Sequence, residues 1–207
     1  MSYLKIINTM KTTKLVILMS FMAMASSLAA DPVKPAPEFT AKTVKAENVS
    51  LADLKGRTVV LEWVNFDCPF VKKHYGSGNL PKMQESYTSK GVVWITINSS
   101  APGKQGHLEP AKLAERATKE GNKATHLVAD PEGLIGKAYG AKVTPHLFVI
   151  KPDGTLAYNG AIDSKASTQP SDITEAVPLL ANALDAVLAG KEVTNANNQP
   201  YGCGVKY

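Results

Sequence analysis

The fold is organised around residues 58–75, which read Thr-Val-Val-Leu-Glu-Trp-Val-Asn-Phe-Asp-Cys-Pro-Phe-Val-Lys-Lys-His-Tyr. The first part of this stretch is rich in β-branched and aromatic residues, which predicts a buried strand. The pattern changes at Asp67-Cys68-Pro69. Proline is favoured as a first helical residue, because the N–H that it lacks has no partner in the first turn. The stretch therefore predicts a strand, a short turn and a helix that begins at Pro69.

The predicted boundary puts Cys68 at the N-cap of this helix. Free backbone N–H groups and the positive end of the helix dipole then point at its sulfur. Such surroundings lower the pKa of a thiol and favour the nucleophilic thiolate. A cysteine is more often a buried packing residue than a nucleophile. The strand-to-helix junction, with Lys72 and Lys73 one turn later, favours the reactive site here.

Composition and charge argue against several classes of protein. The 207 residues have an ordinary globular composition and suffice for one domain with extensions. The formal charge is +5, but residues 1–30 contain Lys5, Lys11 and Lys14 and no acidic residue. Without these three of the 23 basic residues, the rest of the chain has 20 basic and 18 acidic residues, a balance of +2. So small a charge argues against a nucleic acid as partner.

Residues 1–30 have the pattern of a secretory signal peptide. Lys11 and Lys14 precede an apolar run at residues 15–25, and small residues follow up to Ala30. We expect cleavage after Ala29 or Ala30 and a mature protein in the periplasm or outside the cell. The apolar run is shorter than the roughly 20 residues that span a bilayer, and no cysteine near the cleavage site could carry a lipid. We therefore expect no stable membrane anchor.

The remaining sequence divides into a domain at residues 31–190 and a tail at residues 191–207. Strand and helix patterns alternate in the domain, which predicts an α/β domain with a largely parallel sheet. Besides the central strand, the predicted strands are 39–44 and 48–51, which form a short opening pair, and 92–98, 126–129, 146–151 and 155–161; the predicted helices are 80–90, 109–120, 134–139 and one that begins near Thr174 or Glu175, with Pro178 in its first turn. The tail has no periodicity and is predicted to be a flexible arm that carries Cys203.

Three segments carry a resemblance to a known family: residues 49–56, the strand that leads into Cys68-Pro-Phe-Val71, and Val143-Thr-Pro145 before a strand. Together they resemble the thioredoxin-fold superfamily, and within it the peroxiredoxin-like (AhpC/TSA, redoxin-type) branch, over about residues 39–188. The resemblance implies a central mixed sheet flanked by helices, with an N-terminal β extension and a C-terminal tail that bears a cysteine. It also implies that Thr144 and Pro145 form the cis-proline loop that lies against the redox cysteine.

The sequence departs from both branches of this superfamily near Cys68. Val71 stands where thioredoxins have the second cysteine of Cys-x-x-Cys. Leu61 and Asn65 stand where peroxiredoxins have the proline and threonine that precede their peroxidatic cysteine. Glu62 matches the buried acid that serves thioredoxins as a proton relay, although a carboxylate at a solvated sheet edge is an equal alternative.

Because no second cysteine lies beside Cys68, a mixed disulfide or sulfenic acid there needs a resolving thiol from elsewhere. Cys203 is the only other cysteine. Its tail could reach Cys68 in the same chain or in a partner subunit, which leaves a homodimer open. A permanent disulfide that fixes the tail is the structural alternative in an exported protein.

These parts predict a thiol-disulfide oxidoreductase that acts on protein thiols or disulfides. The second hypothesis is a peroxiredoxin-type antioxidant that reduces small hydroperoxides. Copper binding is the third, because Cys68, His74 and His146 could form a thiolate and imidazole site. Copper-delivering proteins that resemble this fold have a second cysteine where this chain has Lys72, whose charge opposes a metal ion. We therefore predict no metal and no cofactor, and a site made of Cys68, Cys203, Pro145, Thr144 and Glu62.

Overall fold

A computed structural model describes residues 34–207. The strands are β1 (Thr40–Lys42), β2 (Asn48–Ser50), β3 (Val59–Trp63), β4 (Val93–Asn98), β5 (His126–Ala129), β6 (Val143–Thr144), β7 (His146–Ile150), β8 (Leu156–Gly160) and β9 (Cys203–Gly204). The helices are α1 (Pro69–Gly76), α2 (Asn79–Thr88), α3 (Pro110–Lys119), α4 (Leu134–Tyr139) and α5 (Leu179–Leu188), with short 3-10 turns at Ala52–Leu54 and Pro170–Ile173.

The central sheet has five strands in the order β5-β4-β3-β7-β8. Strands β3, β4 and β5 are parallel to one another, whereas β7 is antiparallel to both β3 and β8. The mixed sheet that the resemblance implied is therefore confirmed, and its parallel part comprises β3, β4 and β5. The tight turn at residues 152–154 reverses the chain and makes β7 and β8 a hairpin.

Strand β3 is buried on both faces and lies at the centre of the sheet. One face contributes Val60 to a core cluster with α1, α2, α3 and α5, and the other contributes Leu61 and Trp63 to a cluster with α4 and the N-terminal β-pair. This burial explains why the strand is apolar without alternation. Each large apolar side chain withdrawn from water in this way contributes about 2 kcal/mol to stability.

The last helix begins later than the sequence predicts. α5 starts at Leu179 with Pro178 as its N-cap, and residues 170–173 form a separate 3-10 turn. Ser164 pairs with Val177 through the bond from its N–H to the carbonyl oxygen of Val177 (3.1 Å) and the bond from the N–H of Val177 to its hydroxyl (2.9 Å), which holds this segment outside a helix. The expected start near Thr174 or Glu175 is therefore wrong by about one turn.

The tail is docked on the domain, and the prediction of a flexible arm is wrong for its end. β9 pairs antiparallel with β6, so that Cys203 lies opposite Thr144 and Gly204 opposite Val143. Within residues 34–207, no helix is long and apolar enough to cross a membrane. The predicted signal peptide and its cleavage site lie outside the described residues.

Candidate active site

Cys68 occupies the N-cap of α1, at the end of the loop that follows β3. Its backbone is extended (φ −67°, ψ 127°) and Pro69 is the first helical residue. Asn65 shapes the loop: its carbonyl oxygen accepts from the N–H of Cys68 and its side-chain oxygen accepts from the N–H of Asp67, both at 2.9 Å. Local hydrogen bonds thus fix the cysteine at a helix N-terminus.

The Thr144-Pro145 loop lies against the sulfur of Cys68. The peptide bond between these two residues is cis. The thiol of Cys68 donates a hydrogen bond to the carbonyl oxygen of Thr144 at 3.0 Å, and the side chain of Cys68 is 0% exposed. The predicted nucleophile is therefore covered in this structure.

Cys203 lies beside Cys68 in the same chain, and both cysteines are free thiols. Strand pairing with Thr144 carries Cys203 to the site, where its thiol is close enough to the Cys68 sulfur to influence its pKa. The two residues are 135 positions apart in the sequence and meet only through the β6–β9 pair. The structure therefore brings together four of the five predicted site residues: Cys68, Cys203, Thr144 and Pro145.

The pKa of Cys68 is lowered from its usual value. Burial acts to raise it, but hydrogen bonds to the thiolate outweigh this effect; they come from the thiol of Cys203, the backbone N–H groups of Val71 and Cys203, and the side chain of Thr144. Hydrogen bonds to the charged form stabilise that form. Cys68 is therefore the more acidic thiol of the pair.

The pKa of Cys203 is raised to about 11. The causes are burial, the hydrogen bond that its thiol makes to Cys68, and the negative charge of the Cys68 thiolate. Two adjacent sulfurs cannot both ionise easily, so the proton stays on Cys203. Cys203 therefore keeps its proton to a higher pH than Cys68 does.

The two lysines of α1 are not among the causes of the lowered pKa of Cys68, although their position one turn after it favoured such a role in the sequence. Lys72 is exposed. Lys73 is buried, and its ammonium lies 3.7 Å from the Asp163 carboxylate and donates to the carbonyl oxygen of Lys165 at 3.2 Å. The lowered pKa of Cys68 therefore rests on hydrogen bonds at the helix N-terminus and from the tail.

Glu62 is fully buried and accepts hydrogen bonds from four side chains. The donors are Tyr75 (2.8 Å), Gln84 (2.8 Å), Trp94 (2.7 Å) and Thr96 (3.4 Å). Burial raises the pKa of Glu62 even though these donors lower it. The alternative of a solvated edge carboxylate is wrong. The structure shows no hydrogen bond from Glu62 to either cysteine, so a proton-relay role stays a prediction.

The two histidines of the copper hypothesis have their ring nitrogens engaged elsewhere. His74 contacts Tyr201 and Asn79, and His146 contacts Asn159 and the N–H of Lys142. Burial lowers the pKa of both histidines to about 4. Among residues 34–207, no group of three His, Cys, Asp or Glu side chains could hold a metal ion. The structure thus does not assemble Cys68, His74 and His146 into one site.

Several residues that position the site were not singled out from the sequence. Arg116 of α3 donates to the carbonyl oxygen of Phe66 (2.8 Å) and to the carboxylate of Asp67 (3.0 Å), which holds the loop before Cys68. Tyr201 donates to Asp163, in the loop after β8, and lies 3.2 Å from Nε2 of His74 in α1, which ties the tail to the domain. For Tyr201, the only signal in the sequence was its position two residues before Cys203.

The five-stranded sheet, its helices and the cis-proline loop define a thioredoxin-fold protein. The family model of the AhpC/TSA family matches residues 32–159, and the chain belongs to this family. Among curated proteins, none matches the sequence.

Three solved structures have the same fold. An uncharacterized conserved protein from Geobacillus kaustophilus is 27% identical, with 84% of this chain and 91% of that chain covered and a TM-score of 0.72. A putative thioredoxin from Neisseria meningitidis is 18% identical, with 79% and 95% covered and a TM-score of 0.56. A secreted disulfide oxidoreductase from Mycobacterium tuberculosis is 19% identical, with 72% and 95% covered and a TM-score of 0.50. The likeness to the last two is one of fold.

Proposed function

We propose that this protein is an exported thiol-disulfide oxidoreductase in which Cys68 is the nucleophile and Cys203 the resolving thiol. One observation carries the proposal: Thr144 accepts a hydrogen bond from the thiol of Cys68 and pairs with Cys203, which brings two free thiols of one chain to the same site. Membership of a thioredoxin-fold redox family supports it. The substrates are protein thiols or disulfides.

The reaction takes two exchange steps. The Cys68 thiolate attacks one sulfur of a substrate disulfide, so that a Cys68–substrate disulfide forms and the other substrate sulfur leaves as a thiolate. The thiolate of Cys203 then attacks the Cys68 sulfur, so that the Cys68–Cys203 disulfide forms and the second substrate sulfur leaves. The substrate gains two electrons and the two cysteines lose two, which an external dithiol returns. Run in reverse, the same steps oxidise a substrate dithiol.

The charge distribution supports this order of events. While Cys68 is a thiolate, its charge contributes to the raised pKa of Cys203. Once Cys68 is part of a mixed disulfide, that charge is gone, and the pKa of Cys203 falls. The proton of the resolving thiol is thus released when its sulfur has to attack.

Peroxide reduction is the alternative, and the surroundings of Asn65 weigh against it. Peroxide cleavage requires donors that polarise the O–O bond in the transition state. The amide of Asn65, which replaces the expected threonine, donates to the carbonyl and side-chain oxygens of Gln105, each at 3.3 Å, and accepts from Asp67. This side chain therefore has no free donor for a peroxide at Cys68.

A single-turnover experiment tests the proposal. Reduced protein is mixed with a small fluorogenic disulfide in the absence of other thiols, and the products are followed by fluorescence and mass spectrometry. The parent should release both substrate thiols and end as the internal disulfide, Cys203→Ser should stop at the mixed disulfide on Cys68, and Cys68→Ser should be inactive. Turnover by Cys68→Ser, or consumption of hydrogen peroxide faster than disulfide exchange, would overturn the proposal.

Export rests on the sequence pattern of residues 1–30 alone. The mature protein should begin at Ala30 or Asp31, which mass spectrometry of protein isolated from the producing cells can check. A soluble cytosolic protein that keeps residues 1–30 would contradict it.

A further inference from the structure

The tail does more than carry Cys203, because it also closes the site. Cys68 is 0% exposed, and Tyr201 and Cys203 pack on the core cluster that contains it. The ring of Tyr201 packs beside the ring of Phe70 in a tilted arrangement, with centroids 5.7 Å apart. A substrate disulfide cannot reach Cys68 while these residues stay in place.

The hydroxyl of Tyr201 is held at both of its hydrogen-bonding positions. It donates to Asp163 at 2.5 Å, and it lies 3.2 Å from Nε2 of His74. Asn79 Nδ2 lies 2.9 Å from Nδ1 of His74, so that Nδ1 accepts and the proton of the neutral ring is on Nε2. A directed chain therefore runs from Asn79 through His74 and Tyr201 to Asp163.

Asp163 is a buried carboxylate that needs this hydroxyl. Its other oxygen, Oδ2, is buried and has no hydrogen-bond partner among the described residues, and the nearest cation is the Lys73 ammonium at 3.7 Å. Losing the Tyr201 hydroxyl would leave a buried charge with fewer donors, which is costly. The bond between Tyr201 and Asp163 thus strongly favours the docked tail.

Gly202 lets the tail approach the cis-proline loop closely. Its φ is +143°, and a Cβ at this position would lie 2.0 Å from the carbonyl oxygen of Thr144. Only glycine combines this backbone conformation with this contact. Tyr201, Gly202 and Cys203 are therefore one docking unit: an anchor, a close approach and the thiol.

We propose that Tyr201 is a positioning residue that acts as a latch, holding Cys203 on Cys68 and closing Cys68 to external disulfides until the tail is released. This inference rests on the proposed function for its purpose, but the latch itself can be measured without turnover. One substitution that weakens the latch should therefore have two effects. Loosening the tail exposes Cys68 and, at the same time, lowers the effective concentration of Cys203 at its partner.

The variant is Tyr201→Phe, which keeps the ring and removes both hydrogen bonds of the hydroxyl. Tyr87→Phe is the matched control, because the hydroxyl of Tyr87 also donates to a carboxylate, that of Asp185 at 2.9 Å, on α2 and α5 away from the tail. In a Cys203→Ser background, Tyr201→Phe should raise the rate of Cys68 alkylation by iodoacetamide about tenfold, since a hydrogen bond to a charged group is worth enough to shift the docking equilibrium by that factor. Tyr87→Phe should leave the rate unchanged.

The second readout uses the protein with both cysteines. In a glutathione redox buffer, the equilibrium constant of the Cys68–Cys203 disulfide should fall by up to about tenfold in Tyr201→Phe. It falls by the same factor as the docked fraction of the reduced tail, because the disulfide forms from the docked tail. Faster alkylation together with a weaker disulfide supports the latch. Unchanged values for both, or equal changes in Tyr87→Phe, overturn it.

A second variant and a comparison with the exchange activity complete the test. If Tyr201→Phe fails to unfold cooperatively in urea, Gly202→Ala displaces the same unit by steric contact and should give the same pair of changes; unchanged values there also overturn the latch. Failure of the proposed function can be told apart from failure of the latch. If the protein exchanges no disulfide but Tyr201→Phe exposes Cys68, the latch exists and the proposed activity does not. If the protein exchanges disulfides normally but Tyr201→Phe changes neither readout, the activity exists and the latch does not.

Discussion

The sulfur of Cys68 lies 3.0 Å from the carbonyl oxygen of Thr144, and Thr144 is also the residue that pairs with Cys203 in the β6–β9 register. One residue therefore contacts Cys68 on one side and the strand of the second thiol on the other. The cis-proline loop thus serves both as the surface against which Cys68 rests and as the docking strand of the tail.

The first prediction is that mild oxidation produces a Cys68–Cys203 disulfide within one chain. Both thiols already lie together in a single chain, so no partner subunit is needed. Peptide mapping without reductant should find the cross-linked peptide in protein that migrates as a monomer. A covalent dimer as the main product, absent in Cys203→Ser, would show instead that the tail reaches a second subunit.

The second prediction concerns the pKa of Cys68. After burial, the thiol of Cys203 is the largest influence on this pKa, and it lowers it by donating a hydrogen bond to the thiolate. Cys203→Ala removes that donor, whereas Cys203→Ser keeps a hydroxyl. The pKa of Cys68, measured from the ultraviolet absorbance of its thiolate, should therefore be higher in Cys203→Ala than in Cys203→Ser. Equal values would mean that backbone donors alone set this pKa.

The third prediction compares two glycines of the tail. Gly202→Ala should lower the free energy of unfolding by about 1–3 kcal/mol, because strain at such a backbone conformation and a clash with Thr144 add together. Gly204→Ala should have little effect, since its Cβ would lie 3.9 Å from the nearest atom, the carbonyl oxygen of Lys142. Urea unfolding of both variants measures the difference. Equal stability of the two would contradict the close approach.

The fourth prediction is that Glu62→Gln destabilises the protein by about 2 kcal/mol, the cost of leaving a buried polar group unpaired. The hydroxyl of Tyr75 already accepts from Gln84 (3.0 Å) and Asn122 (2.9 Å), and it donates its own proton to the carboxylate of Glu62. A glutamine has one acceptor oxygen instead of two, so one of the donors around residue 62 loses its partner. Urea unfolding measures the loss. The pH profile of Cys68 alkylation should move less than in Cys203→Ala, and a larger displacement would favour the proton relay.

The fifth prediction is that stability falls as the pH is lowered from about 6.5 to about 4. Burial lowers the pKa of His74 and His146 to about 4 in the folded protein from an ordinary value of 6.5. Between these values the unfolded chain binds protons that the folded protein does not, so their contribution is complete above pH 6.5 and is lost towards pH 4. Each histidine accounts for up to about 3 kcal/mol of this loss.

Unfolding in urea at a series of pH values measures this dependence. His146→Gln should reduce the slope of stability against pH by about one proton in this window. An unchanged slope would mean that His146 is already protonated in the folded protein or that it is not buried there.

Much of the local structure could be predicted from the sequence. β5 and α4 have the predicted bounds, His126–Ala129 and Leu134–Tyr139, and α1 begins at Pro69 with Cys68 as its N-cap. These features depend on signals that lie within a few residues, such as runs of β-branched side chains, glycines at helix ends and a proline that starts a helix. The start of α5 was missed because Val177 is held by Ser164, a residue thirteen positions away.

The sequence by itself thus determined the strand, the turn and the helix that present Cys68. Only the tertiary structure decided that Cys68 is covered, that Lys73 faces Asp163 and not the sulfur, and that Cys203 lies opposite Thr144. The physical reason is the range of the interactions. Propensity and capping act between neighbours along the chain, whereas burial and the pairing of β6 with β9 depend on residues about 60 positions apart, which leave no pattern in any local stretch.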